Sequence, residues 1–169
     1  MKFVKWLVLV ISSFFAISLI YAIWPDQTLP NNVTADRLVV YKSARKLELW
    51  ANGKRVKVYK VSLGSSPVGS KQYQGDGKTP EGLYFINDKN PQSKFHLNLG
   101  ISYPDKKDLI KSKNPGGDIK IHGLQNGLGF IGKLQRFFDW TDGCIAVTNK
   151  EIEELYRAVP IGTPIQINP

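Results

Sequence analysis

From Trp6 to Trp24 the chain runs nineteen residues without a charged side chain, WLVLVISSFFAISLIYAIW. No other stretch limits the fold so tightly. About 20 apolar residues cross a hydrocarbon layer of ~30 Å, and a single such segment must do so as a helix because its backbone polar groups find no other partners there. Lys2 and Lys5 precede the run and no basic residue follows it closely, which orients the N-terminus to the cytoplasm and everything after Trp24 to the far side. A secretory signal peptide has a shorter apolar core, roughly 7–15 residues, and an A-x-A-like cleavage site. The best candidate here, Ile20-Tyr21-Ala22, puts a bulky isoleucine at the outer small position. Residues 1–24 are therefore read as an uncleaved anchor in preference to a cleaved signal. Both readings export the rest of the chain.

The exported part suits one folded domain. Of the 169 residues 42% are hydrophobic and 22% charged, enough apolar material for a sizeable core. With Lys2 and Lys5 set aside, 21 basic side chains face 14 acidic ones, a net +7. A basic surface favours acidic partners. Export makes nucleic acid an unsuitable one, leaving anionic lipid or a carboxylate-rich polymer.

Residues 25–36 (PDQTLPNNVTAD) are polar, with two prolines, and read as a linker. Residues 37–169 then carry a mainly β pattern. Leu38–Tyr41 is a strand candidate. Lys46–Trp50 and Arg55–Val61 alternate polar and apolar residues around Asn52-Gly53, a pair that tolerates the positive φ of a tight hairpin. Leu83–Ile86, Phe95–Tyr103, Ile119–His122 and Gly162–Ile167 are further strand candidates, with a long loop over Gly64–Gly82 and a basic, solvated excursion (DKKDLIKSKNPGG) between the middle two. One helix is expected after the anchor. It begins at Thr148, which with Glu151 makes a capping box ahead of Ile152 and Leu155.

Few residues carry chemistry. GDGKTPEG, Gly75–Gly82, contains Gly-Lys-Thr, but Gln72 stands where a phosphate loop needs its first glycine, and Pro80 and Gly82 follow where it needs a helix. The stretch reads as a turn into the next strand, bordering a site at most. Two histidines and one cysteine lack paired metal-ligand spacing, and neither His-Glu-x-x-His nor Gly-x-Ser-x-Gly occurs, so neither metal nor cofactor is expected. His96 sits in a strand among leucines and reads as a rim residue, with substrate contact as the lesser alternative. His122 ends a strand and precedes Gly123, a rigid mount with room for a close approach. Cys144 is the lone cysteine, in DWTDGCIAVTN. In an exported protein such a thiol is a bridge to another molecule, an inert buried group or a nucleophile. Paired with His122 it gains the base that a cysteine nucleophile needs, and Gly143 lets the amides of residues 143 and 144 face a developing oxyanion.

The order His122-Gly123, about twenty residues, then Thr141-Asp142-Gly143-Cys144 resembles the signature of the L,D-transpeptidase catalytic domain (YkuD-type) family. Val61–Gly64, Gly75–Gly82 and Ile121–Gly123 fit it too, and the resemblance covers Arg37 to Asn168. FHLNLGISYP and DWTDGCIAVTN are most similar to the branch of single-domain, envelope-anchored members acting on murein. The resemblance implies a β-sandwich-like domain with one or two short helices. It implies a thiolate, Cys144, that attacks the peptidoglycan stem peptide at the diaminopimelate–D-Ala bond, with His122 as general base, Gly143 in the oxyanion region, and Gly123 and Thr141 near substrate. The thioester is resolved by an amine, or by water in hydrolytic relatives that free crosslinks or lipoprotein. The implied partners are stem peptides, a peptidoglycan-linked outer-membrane lipoprotein as a further candidate, and the membrane through the N-terminal helix. The implied location is the envelope, with the domain in the periplasm, either anchored in the inner membrane or free after cleavage. A non-catalytic wall-binding module is the third reading, disfavoured because such a module needs neither Cys144 nor His122. Two positions depart from the commoner motif: Asp142 replaces a histidine, and Ala146 stands where Arg or Asn is usual. Asp142 either orients His122 or repels an anionic part of one substrate.

Overall fold

The computed structural model describes residues 2–24 and 26–169; Met1, the first residue of the expected anchor, and Pro25, the first of the expected linker, lie outside the described residues. The uncharged run forms helix α1 (Lys2–Ile23), long and apolar enough to cross a membrane and largely exposed until its last turn, where Tyr21 and Ala22 are half-buried. The domain is built on one curled eight-stranded sheet. Its strands are β1 (Arg37–Tyr41), β2 (Lys46–Ala51), β3 (Lys54–Lys60), β4 (Gly82–Ser93), β5 (His96–Ile101), β6 (Lys120–His122), β7 (Ile145–Ala146) and β8 (Pro164–Asn168), in the order β3-β2-β1-β8-β4-β5-β6-β7.

Asn52 and Gly53 take φ values of 52° and 70°, and the β2–β3 hairpin forms around them as their residue types require. β8 closes the chain by slotting between β1, to which it is parallel, and β4, to which it is antiparallel. The sandwich-like shape expected from the sequence arises inside this single sheet. β4 pairs with β8 through Gly82–Phe85 and with β5 through Ile86–Ser93, with register shifts at Ile86/Asp88 and Asn90/Ser93. Such irregularities bend a strand and sharpen its twist. The two halves of the sheet therefore fold over a shared core, in which Leu38, Leu47 and Tyr59 of one half join Leu99, Ile121 and Ile145 of the other.

Three elements were hidden in the sequence. β4 runs twelve residues where four apolar ones are evident, because its second half, NDKNPQS, is polar and contains Pro91. The basic excursion holds a short helix α2 (Lys106–Lys111). Asp105 and Asp108 cap it reciprocally, with Asp108 buried and accepting a hydrogen bond from the Tyr84 hydroxyl at 3.2 Å. Beyond Gly123, Gly129–Phe137 forms a 3-10 segment in place of an open loop.

Helix α3 (Asn149–Ala158) starts where expected. Thr148 Oγ1 accepts from the Glu151 amide, Glu151 accepts from the Thr148 amide at 2.9 Å, and Arg136 bonds the buried Glu151 carboxylate at 2.7 Å. Ile152 and Leu155 are fully buried, as α3 packs on β5 and β6. Thr148→Ala removes the cap and a partner of a buried carboxylate, so unfolding of the detergent-solubilised chain in urea is expected to show a loss of about 1–2 kcal/mol at unchanged m-value. An unaltered midpoint would show that the cap contributes nothing to stability.

Candidate active site

Cys144 and His122 are brought together by a short parallel pairing. β6 and β7 align Ile121 with Ile145 and His122 with Ala146. Side chains alternate across a strand, so with Ile121 and Ile145 fully buried in the core, His122 and the residue just before β7, Cys144, emerge on the opposite face as a diagonal pair. Both line an open cleft of about 540 Å³, along with Asn98, Lys120, Trp140 and Asp142.

His122 is held from several sides. Its Nδ1 lies 2.7 Å from the carbonyl oxygen of Gly123, which makes Nδ1 the protonated nitrogen and leaves Nε2 with the lone pair. Phe95 packs tilted against it at 4.6 Å between ring centroids and Trp140 meets the imidazole edge-on at 5.7 Å. Burial, together with the Lys120 charge, pushes the imidazole below the ordinary histidine value, against the Gly123 hydrogen bond. Cys144 is half-buried, with Sγ 3.6 Å from the Asp118 carbonyl oxygen. Burial pushes its thiol up. The Lys120 backbone and ammonium oppose this, while the Asp118 and Asp142 carboxylates reinforce it. These directions favour a resting pair of neutral thiol and neutral imidazole.

The turn carrying Cys144 is closed by Thr141. Its Oγ1 donates to the Cys144 carbonyl at 2.7 Å and accepts from the Gly143 amide at 3.2 Å, while its backbone pairs with Leu63 and Ser65. Asp139 ties the same stretch down, accepting from the Leu63 amide at 2.9 Å and pairing with Arg45 at 2.8 Å. The structure thus divides the two amides expected to face an oxyanion: that of Gly143 is used by Thr141, and that of Cys144 has no acceptor among the described residues.

Gly143 has φ 118°, and a Cβ there would stand 2.5 Å from the Lys78 carbonyl oxygen. Gly64 packs equally tightly, its virtual Cβ 2.1 Å from the Gly77 carbonyl oxygen. The glycine-rich stretch Gly75–Gly82, which failed as a phosphate loop, is the wall behind the cysteine. Buried Thr79 fixes it by accepting from the Gly64 amide at 3.1 Å, and Asp76, paired with Lys71 at 2.8 Å, fixes its other end.

Three expected residues sit differently. Gly123 faces α3, its virtual Cβ 2.8 Å from Asn149 Oδ1, so its service to the site is the carbonyl that holds His122. His96 is outside the cleft lining and pairs with Glu153 of α3 at 2.7 Å. Asp142 is exposed on the cleft rim with no hydrogen bond among the described residues; the orienting partner of His122 is Gly123. Sequence reasoning passed over Asn98, Asp118, Lys120, Phe95 and Trp140. Trp140 had a signal in its place inside the cysteine motif, as Phe95 and Asn98 had inside FHLNLGISYP.

A family model described as "L,D-transpeptidase catalytic domain" (YkuD) matches residues 35–167. The chain belongs to that family. Among curated relatives it is 29% identical over 126 residues to "Putative L,D-transpeptidase YafK" of Escherichia coli K12, covering 71% of this chain and 45% of the relative. The chain therefore spans less than half the length of that protein. Among solved structures it is similar to Pgp2 of Campylobacter jejuni, described as a helical cell shape determining protein, with TM-score 0.63 and 24% identity over 80% of this chain and 48% of that one. It is also similar to Bd1075 of Bdellovibrio bacteriovorus, with TM-score 0.59 and 26% identity over 82% and 49%. An L,D-transpeptidase from Mycobacterium smegmatis shares the fold at TM-score 0.54 and 15% identity, over 80% and 59%.

The Asp142 carboxylate raises the thiol without bonding to anything nearby. Asp142→Asn is expected to shift the pH profile of Cys144 alkylation by iodoacetamide to lower pH, since only the thiolate reacts. A profile that stays put or moves upward would contradict this role for Asp142.

Proposed function

We propose that this chain is a cysteine L,D-transpeptidase that opens the diaminopimelate–D-Ala bond of peptidoglycan stem peptides and passes the acyl group to an amine. The observation that carries the reading is the diagonal placement of Cys144 and His122 on one cleft face, with His122 Nδ1 bound to Gly123 and Nε2 left free to act.

As sulfur attacks the scissile carbonyl carbon, His122 Nε2 takes the thiol proton. The carbonyl oxygen becomes an alkoxide, for which the Cys144 amide is a ready donor. Collapse of the tetrahedral species breaks the C–N bond, and the imidazolium returns the proton to the departing D-Ala amine. An amine then attacks the thioester, His122 accepting its proton, and the thiol is regenerated. Water in place of the amine gives the hydrolytic outcome, release of a crosslink or of a linked lipoprotein. No cofactor or metal enters any of these steps. The domain works in the periplasm, held to the inner membrane by α1.

Two variants and a pH profile separate the roles. Cys144→Ala is expected to abolish conversion of purified muropeptides and adduct formation with a carbapenem. His122→Ala is expected to cost about 10²–10⁴-fold in turnover. Because burial holds His122 low, the acid limb of turnover should fall below the ordinary histidine value of about 6.5, as the imidazole protonates and loses its base function. New crosslinks in the muropeptide digest identify transfer, and loss of linkages without new ones identifies hydrolysis. Conversion that survives Cys144→Ala would refute the cysteine mechanism.

A further inference from the structure

Helix α1 does not leave the domain as a free stalk. Its C-terminal end packs on the 3-10 segment Gly129–Phe137. The Tyr21 and Phe137 rings lie 5.9 Å apart. Lys133 donates to the Trp24 carbonyl, pairs with Asp26 at 2.9 Å and places its ammonium 5.9 Å from the Tyr21 ring. Arg136 of the same segment is locked to Glu151 at the start of α3. The end of the apolar helix is thus fastened to the domain through one short segment.

That segment is turned inside out. Lys133 and Gln135 are its buried side chains, whereas Phe130 is 82% and Phe137 63% exposed, and the adjoining Phe138 is 74% exposed. Phe130 precedes and Phe137 and Phe138 follow a kink at Gly132, and large exposed aromatics on both sides of it mark an interaction surface. Their position says with what. Ala22, Trp24 and Phe130 line one cavity, so Phe130 stands level with the end of α1. For a helix that spans a bilayer, that level is the boundary of headgroups and acyl chains, where aromatic rings concentrate and amphipathic segments bury their apolar side by roughly 5–10 Å.

We infer that Gly129–Phe138 seats the catalytic domain on the bilayer, with Phe130 and Phe137 entering the leaflet into which the C-terminal end of α1 emerges. The inference rests on α1 spanning the membrane. Trp140, two residues past Phe138, lines the cleft beside His122, so one short stretch joins the seat to the active site and fixes the cleft at a set height above the lipid.

The test uses the full chain with Cys144→Ser, a single new cysteine from Phe130→Cys or Phe137→Cys, and an environment-sensitive fluorophore. The protein is reconstituted in vesicles of phosphatidylethanolamine and phosphatidylglycerol. Flotation reports on α1, and emission reports on the seat. The expected result is that the protein floats, and that both labels emit at shorter wavelength and are quenched by lipids brominated high in the acyl chain. A label from Ile110→Cys on α2, an apolar site 86% exposed, stays unquenched. Floating protein whose labels at 130 and 137 remain in water overturns the seat, leaves the anchor standing and points to a protein partner for the patch. Equal quenching at Ile110 also overturns it. A chain that fails to float overturns the anchor and the seat together.

Discussion

The site depends on a two-residue strand. β7 is only Ile145–Ala146, yet its parallel register with β6 determines what faces the core and what faces the cleft. Shift that pairing by one residue and Cys144 enters the apolar interior while Ile145 takes its place. The register is held from two directions. Ile121 and Ile145 are fully buried on one face, and on the free side of β7 Ser62 pairs with Ala146 as an antiparallel bridge through amide–carbonyl bonds of 2.9 and 2.8 Å. Much of the remaining architecture braces this pairing. β4 bends so that β5 and β6 reach the site, α3 covers β5 and β6 from behind, and Gly75–Gly82 presses backbone against backbone behind Gly143.

Burial governs the chemistry that this bracing permits. It discourages charge on both partners, lowering the imidazole and raising the thiol. A preformed ion pair is disfavoured, and in the proposed mechanism the thiolate forms as substrate arrives. Asp142 fits this logic better than it fits an orienting role. Its charge on the rim works against premature thiolate, and Gly123, through its carbonyl, fixes the tautomer of His122. The same stretch that places the cysteine is tied by Asp139 to Leu63 and Arg45, so the motif acts as a single rigid piece.

The sequence revealed the fold best where periodicity and turn chemistry agreed. The β2–β3 hairpin followed from alternation and Asn52-Gly53, and α3 from Thr148 and Glu151. It concealed elements whose signal is tertiary. The polar half of β4 is a strand because β5 pairs with it, and α2 exists because two aspartates cap each other beside Tyr84. The candidate pair was legible as chemistry, since a lone cysteine and a glycine-flanked histidine invite pairing and resemble one family throughout. The supporting residues were not. Gly123 was read as room for substrate and proved to be room for α3. Thr141 was read as a substrate contact; it lines the cleft and is also the latch of its own turn. Lys120 reaches the cleft only through strand register, which no local pattern announces.

Helix α1 and the candidate cleft belong to one geometric unit, because the segment that grips the end of α1 continues into Trp140 beside His122. Covalent capture of the acyl intermediate tests the chemistry at its centre most directly. The full chain is mixed with a purified tetrapeptide-stem muropeptide, quenched in acid, and its intact mass and peptide map are recorded. The expected result is a mass gain equal to the muropeptide less the released D-Ala, located on Cys144, labile to hydroxylamine and lost in His122→Ala at the same reaction time. Absence of any adduct while D-Ala is released, or an adduct on a residue other than Cys144, would contradict the thioester mechanism.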